Sequence, residues 1–190
     1  TFAFGGGMAS TLGYAQFPNS SGLDGLETSG GAANTDGVVS SYDVFGSNEL
    51  GAGFLLASPY DKGRTMTHEV GHFLGLLHIW GDATCGDDYC ADTPIHHKAN
   101  YGCPSTIPSS CDIPAVNEMI QNYMDYTNDA CMNIFTQNQK DRILTVMTNS
   151  PRRSSLKTST KGSPMALFAN DAEIKIEAGK CAVDTQTAPC

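Results

Sequence analysis

The sequence predicts an α+β fold, and three observations carry that reading. Short apolar runs broken by glycine and serine fill residues 1–57, helical spacing begins abruptly at Thr65, and a second helix-coded stretch begins at Thr136. With 190 residues, 40% of them hydrophobic and 16% charged, the chain has the composition of one globular domain with a short appendage. The balance of 11 Lys and Arg against 20 Asp and Glu gives a formal net charge of −9. That charge argues against a nucleic-acid partner, which needs clustered basic residues. No apolar run approaches the ~18 residues of a membrane span, and the first residues carry no charged-then-apolar leader.

The elements follow in chain order. Leu12 to Phe17 and Gly37 to Val39 read as short strands, separated by turn signals at Pro18-Asn19-Ser20, Gly30-Gly31 and Gly46-Ser47-Asn48. From Thr65 to Leu77, the residues Met66, Val70, Phe73, Leu74 and Leu77 fall on one stripe of a helix. Residues 79–117 are irregular and cysteine-rich, and a stretch of that length in a compact domain is functional or cross-linked. Thr136-Gln137-Asn138-Gln139 has the form of a capping box, which starts a helix that runs through Ile143, Val146 and Met147 and stops at Ser150-Pro151. The basic, Ser/Thr-rich tract 152–163 reads as a solvated linker. Residues 164–190, with alternation from Ala172 to Glu177, read as a strand that opens a C-terminal extension. The expected organisation is therefore a domain over 1–150, a linker over 151–163 and an extension over 164–190.

The seven cysteines are Cys85, Cys90, Cys103, Cys111, Cys131, Cys181 and Cys190. No pair has C-x-x-C spacing, so zinc-ribbon and thioredoxin-type readings are poor, and a disulfide framework formed in an oxidising compartment is better. The odd number leaves one thiol over or one partner outside the chain. The expectation is a secreted protein.

The chemistry is concentrated in His68-Glu69-Val70-Gly71-His72-Phe73-Leu74-Gly75-Leu76-Leu77-His78. Residues i and i+4 share a helix face, so His68 and His72 can point two imidazoles at one ion. That face lies nearly opposite the Met66/Val70/Phe73/Leu77 stripe, so the helix is expected to pack through one side and present its histidines on the other. Glu69 sits beside the first ligand, within reach of a metal-bound water. Gly75 tolerates the positive φ of a helix end, after which His78 can return as a third ligand. Three neutral imidazoles leave one tetrahedral position open, the arrangement of a catalytic zinc.

This pattern resembles the zinc signature of the metzincin peptidases. With Arg64-Thr65-Met66-Thr67, His78-Ile79-Trp80-Gly81-Asp82, Ala91-Asp92-Thr93-Pro94 and Asn122 through Gln139, the chain resembles the pappalysin branch of that group. The resemblance runs from about Leu12 to Met147. It implies a metzincin-type catalytic domain, with a twisted mixed sheet and the zinc helix above a cleft and a loop-rich lower part with a C-terminal helix below. It implies a zinc endopeptidase in which His68, His72 and His78 hold Zn²⁺, Glu69 is the general base and Tyr126 stabilises the oxyanion. Met124 would support the metal site from the Met-turn. Gly13, Tyr14 and Ala15 resemble the cleft-rim strand that pairs with an extended protein or peptide substrate.

Asp88 and Thr93 correspond to side chains of a structural calcium site, and Asp82, Asp87, Asp88 and Asp92 lack any Lys or Arg between 79 and 97. The resemblance also implies bridges Cys85–Cys111 and Cys103–Cys131, which leaves Cys90 odd unless Cys181 or Cys190 pairs with it. In pappalysins that cleave before Arg or Lys, an acidic residue precedes the cysteine after the Met-turn. Ala130 occupies that position here, so a weaker basic preference is expected, with Asp129 adjacent. His96 and His97 read as surface residues. The chain before His68 is shorter than such domains usually carry, so Thr1 is expected to lie inside the fold. Two other readings stay open at this point: a non-catalytic metal-binding module, against which Glu69 counts, and a fragment of an adhesive or structural protein.

Overall fold

Strand β1 (Gly13–Ala15) pairs antiparallel with β2 (Val38–Ser40) in the register Gly13↔Ser40, Tyr14↔Val39 and Ala15↔Val38. The computed structural model describes residues 11–26, 30–53 and 55–161. The expected strand at 172–177, the extension 164–190, Cys181 and Cys190 lie outside the described residues. After two single-turn 3₁₀ segments at Tyr42–Val44 and Asn48–Leu50, the chain enters helix α1 (Arg64–Phe73). The helix is shorter than the 65–77 span of the apolar stripe because the chain reverses at Gly75. That residue has φ +89° and takes no Cβ, since Val146 Cγ2 would lie 2.6 Å away.

The burial of α1 is the reverse of the expectation. Its buried residues are Thr65, His68, Glu69, Gly71 and His72, whereas Val70 is 37% exposed. The stripe residues Met66, Val70 and Leu74 line a shallow groove with Phe135 and Ile143. The cause is what covers the histidine face: α1 packs against β1 and β2, and Met124 lies so close to Gly71 that a Cβ there would meet its sulfur at 2.5 Å.

Beyond α1 the irregular segment is cross-linked by Cys85–Cys111. Strand β3 (Tyr101–Gly102) runs parallel to β4 (Tyr126–Thr127), and Cys103–Cys131 joins the chain just past both strands. Cys90 is free and 5% exposed. Helix α2 (Gln137–Asn149) carries the capping box read at Thr136 and Gln139. Leu76, Ile79, Trp80 and Met124 form the core, with Ala99, Met119, Phe135 and Ile143 against it. The sheet is smaller than the expected one: the described residues form two two-stranded pairs.

The tract read as a solvated linker does not begin as one. Residues Pro151–Ser154 form helix α3, followed by a 3₁₀ turn at Ser155–Thr158. Arg153 is 1% exposed, and its guanidinium donates to both oxygens of Asp36 at 2.7 and 2.8 Å. It also donates to the carbonyls of Phe73 and Gln16 and lies 3.5 Å over the Phe73 ring. Composition marked this tract as basic; the partner that buries one of its charges is 117 residues away in sequence. The unit that contains these elements spans Thr1–Lys157, and a second spans Thr158–Cys190. Of the second only 158–161 are described, a turn in which the Lys161 N–H donates to Ser159 Oγ. Among the described residues no helix is long and apolar enough to cross a membrane.

Candidate active site

Three histidines converge at the end of α1. One ligand atom from each of His68, His72 and His78 lies within 4.8 Å of the other two, and His72 Nε2 is 3.1 Å from His78 Nε2. Hydrogen bonding fixes the tautomer of each ring. His68 Nδ1 donates to the Tyr123 carbonyl at 2.7 Å, His72 Nδ1 to the Leu76 carbonyl at 2.8 Å, and His78 Nδ1 to Asp82 Oδ1 at 2.6 Å. In the neutral rings every proton is therefore on Nδ1, and three Nε2 lone pairs face one another. Burial pushes His68 and His78 down to about 3 and lowers His72 as well, so all three rings stay unprotonated at neutral pH. Converging lone pairs repel unless a cation lies between them. Nitrogens on one tetrahedral zinc are spaced ~3.3 Å apart for bonds of ~2.0–2.1 Å, close to the spacing of His72 and His78.

Glu69 is 6% exposed, and burial pushes its carboxyl up to about 7. It lies against β1 at Gly13, where a Cβ would come within 2.8 Å of Glu69 Cγ. A cleft of about 460 Å³ is lined by Leu12, Gly13, His68, Glu69, Tyr126 and Asp129 among others. Tyr14 and Ala15 flank it without lining it. Among the described residues β1 pairs with β2 alone, so its other edge has no ladder partner.

The Tyr126 ring lies 5.6 Å from that of His68, 4.9 Å from His78 and 4.7 Å from Trp80. Burial pushes its phenol up to about 12, so it keeps its proton. Met124 is 0% exposed below the histidines. Its N–H donates to Asn122 Oδ1 at 2.9 Å, and Asn122 exchanges two side-chain hydrogen bonds with Gln139, which ties this turn to the start of α2.

Asp88 and Thr93 come together as well: Asp88 Oδ1 accepts from Thr93 Oγ1 at 2.8 Å and from the Cys90 N–H at 3.0 Å. Asp88 is 4% exposed, its carboxyl is pushed up to about 6 by burial, and its Oδ2 is buried without a partner. The remaining acidic side chains are spread over separate partners. Asp82 holds His78, Asp87 accepts from the Tyr89 N–H and Asp92 from the Asn138 N–H. Ala130 is exposed and lies off the cleft, while Asp129 is 2% exposed and lines it. The two lie in a turn closed by the Cys131 N–H on the Asn128 carbonyl. Asp129 Oδ2 accepts the N–H groups of Lys62 and Arg64 at 2.8 and 3.1 Å. His96, read as a surface residue, is fully buried; His97 is exposed.

The sequence profile of the M43 peptidases, described as pregnancy-associated plasma protein-A, matches residues 14–148. The chain belongs to the pregnancy-associated plasma protein-A peptidase family. An extracellular metalloprotease of Colletotrichum graminicola is 38% identical over 134 residues, 70% of this chain and 44% of that protein. One from Arthroderma benhamiae is 51% identical over 86 residues, 44% of this chain and 31% of that protein. Mature mirolysin of Tannerella forsythia, solved in complex with a cleaved peptide, superposes with a TM-score of 0.62 at 45% identity, covering 77% of this chain and 52% of mirolysin. This M43 chain thus spans about half or less of the length of these relatives. In the sequence Asp82 stands in an acidic loop and closes the motif His78-Ile79-Trp80-Gly81-Asp82. Its spacing of four from His78 was the available signal for its part as the carboxylate that fixes the His78 tautomer.

Proposed function

We propose that this chain is the catalytic part of a secreted zinc endopeptidase. The observation that carries the reading is the set of three Nε2 lone pairs, each fixed by a hydrogen bond on the opposite nitrogen, that meet at one point, with His68 lining the cleft. His68, His72 and His78 would hold the zinc, which when bound lowers the pKa of a water so that a nucleophile exists near neutral pH. Glu69, poised at about 7, takes the proton of the attacking water and delivers it to the leaving amine. Tyr126 keeps its phenolic proton and donates it as a hydrogen bond to the oxyanion on the substrate carbonyl. The edge of β1 that has no ladder partner among the described residues, with Gly13 at the cleft, supports an extended peptide bound by strand addition.

The cross-linked loop and the relatives named as extracellular support secretion. Asp88 and Thr93 would hold a structural calcium ion, for which the buried, unpartnered Oδ2 of Asp88 is a fitting donor. Catalysis belongs to the residues through α3.

The test is Glu69→Ala. The variant should bind as much zinc as the wild type, because Glu69 is not a ligand. Its turnover on casein or a quenched fluorogenic peptide should fall by about 10²–10⁴-fold. Zinc content that falls in step with activity overturns the role of Glu69. Zinc-loaded wild type without chelator-sensitive cleavage overturns the peptidase reading.

A further inference from the structure

Beneath the cleft lies a buried polar cluster that the chemistry above does not use. His96 and Asp125 are 0% exposed, Glu118 3% and Asn100 8%. His96 Nε2 accepts the Met119 N–H at 2.8 Å, so the ring proton of the neutral imidazole is on Nδ1. That N–H is aimed between Asp125 Oδ2, 3.6 Å away, and Glu118 Oε2, 3.8 Å away, and Nδ1 is buried without a hydrogen-bond partner. Asn100 Nδ2 donates to the same two oxygens at 3.0 and 2.8 Å. Among the described residues no Lys or Arg pairs with either carboxylate, and the other charge acting on the ring is Asp112.

Two buried carboxylates that face each other without a cation cannot both ionise cheaply. The proton that relieves them goes to a carboxylate oxygen, because a second ring proton would occupy His96 Nε2 and break its bond from Met119. The other oxygen of Asp125 has a different task. Oδ1 accepts the N–H groups of Asn100 and Tyr126, both at 2.8 Å, and so grips the backbone of the residue whose ring faces His68 and His78.

We propose that His96, Glu118 and Asp125 form a buried polar brace that positions Tyr126, with the neutral His96 ring held between the two carboxylates. Its kinetic consequence rests on the peptidase reading; its structural consequence does not. Burial pushes Asp125 up to about 6 from an ordinary 3.8, so between those values the folded protein holds a proton that the unfolded chain has released. Stability from this group therefore declines as pH rises through that window and stays lower above it.

The experiment uses the zinc-loaded chain and its single tryptophan, Trp80, whose ring lies 4.7 Å from Tyr126 and reports its position without any substrate. In the wild type, Trp80 emission should titrate with a midpoint near that of Asp125, and kcat should show an inflection at the same midpoint besides the one set by Glu69. His96→Leu removes the N–H dipole that points between the two carboxylates, so both midpoints should rise by about one pH unit, and kcat should fall about tenfold with KM nearly unchanged. His96→Gln can accept from Met119 and donate to the carboxylates, and should restore wild-type behaviour.

Should His96→Leu fail to fold, Glu118→Gln removes one of the two charges and should lower the emission midpoint. Unshifted midpoints, or a glutamine variant that behaves like leucine, overturn the brace. Shifted emission in a protein that cleaves nothing leaves the brace standing and sinks the peptidase reading. Normal cleavage without any emission shift does the opposite.

Discussion

Asp129 lines the cleft and Ala130 does not, and substrate preference should follow from that difference. The weaker basic preference expected from Ala130 is withdrawn, because the carboxylate that lines the cleft is one residue earlier. Burial already raises the Asp129 carboxyl, so a guanidinium or ammonium group entering beside it would offset a desolvation cost that the empty cleft leaves standing. Wild type should prefer Arg or Lys after the scissile bond. Asp129→Asn keeps an acceptor for the Lys62 and Arg64 N–H groups but loses the charge, so kcat/KM for such peptides should drop about tenfold or more relative to norleucine analogues. Ala130→Asp should leave the ratio unchanged, and matched peptide pairs measure it. Two members of the histidine cluster were legible because helical spacing alone puts His68 and His72 on one face. Asp129 and His96 were not, because the rotation of a turn and the burial of an imidazole depend on partners distant in sequence.

At the scale of elements, α2 was legible from its first four residues. A capping box is local, and Thr136 and Gln139 form it as read. The sequence could not show that Gln139 also clasps Asn122, whose Oδ1 accepts the Met124 N–H. Thr136→Ala should therefore cost about 1 kcal/mol, the usual worth of a cap. Gln139→Ala should cost roughly twice that or more, since it also leaves buried groups of Asn122 unpaired. Urea unfolding of the two variants side by side measures the difference; equal losses would mean that the clasp contributes nothing. The opposite outcome held for α1. Its apolar stripe was real, but the strands and Met124 cover the histidine face instead, and tertiary packing outweighs periodicity there.

For the molecule as a whole, Arg153 is the staple. One buried guanidinium joins α3 to Asp36, to the end of β1 at Gln16 and to the end of α1 at Phe73. Arg153→Leu would leave the Asp36 carboxylate with only the longer 3.8 Å contact to Arg152 and should lower stability by about 3 kcal/mol. Arg153→Lys should rescue little of it, because an ammonium cannot reproduce the planar fork or the stacking on Phe73. Thermal or denaturant unfolding of both variants checks this. Composition could mark 152–163 only as basic, and burial of a single charge within it follows from the closed fold.

Cys90 has a bearing on how the chain keeps its covalent connectivity. A free thiol beside two bridges invites exchange, and the attacking species is always the thiolate. Burial pushes Cys90 up to about 12, and it is 5% exposed. At neutral pH its thiolate fraction is on the order of one in 10⁵, behind a wall of packed side chains. While the domain stays folded, this sulfur is a spectator, and the Cys85–Cys111 and Cys103–Cys131 pairings are insulated from scrambling by it. Global unfolding removes the insulation at once, so heat inactivation above neutral pH should end in shuffled isomers from which recovery is slow.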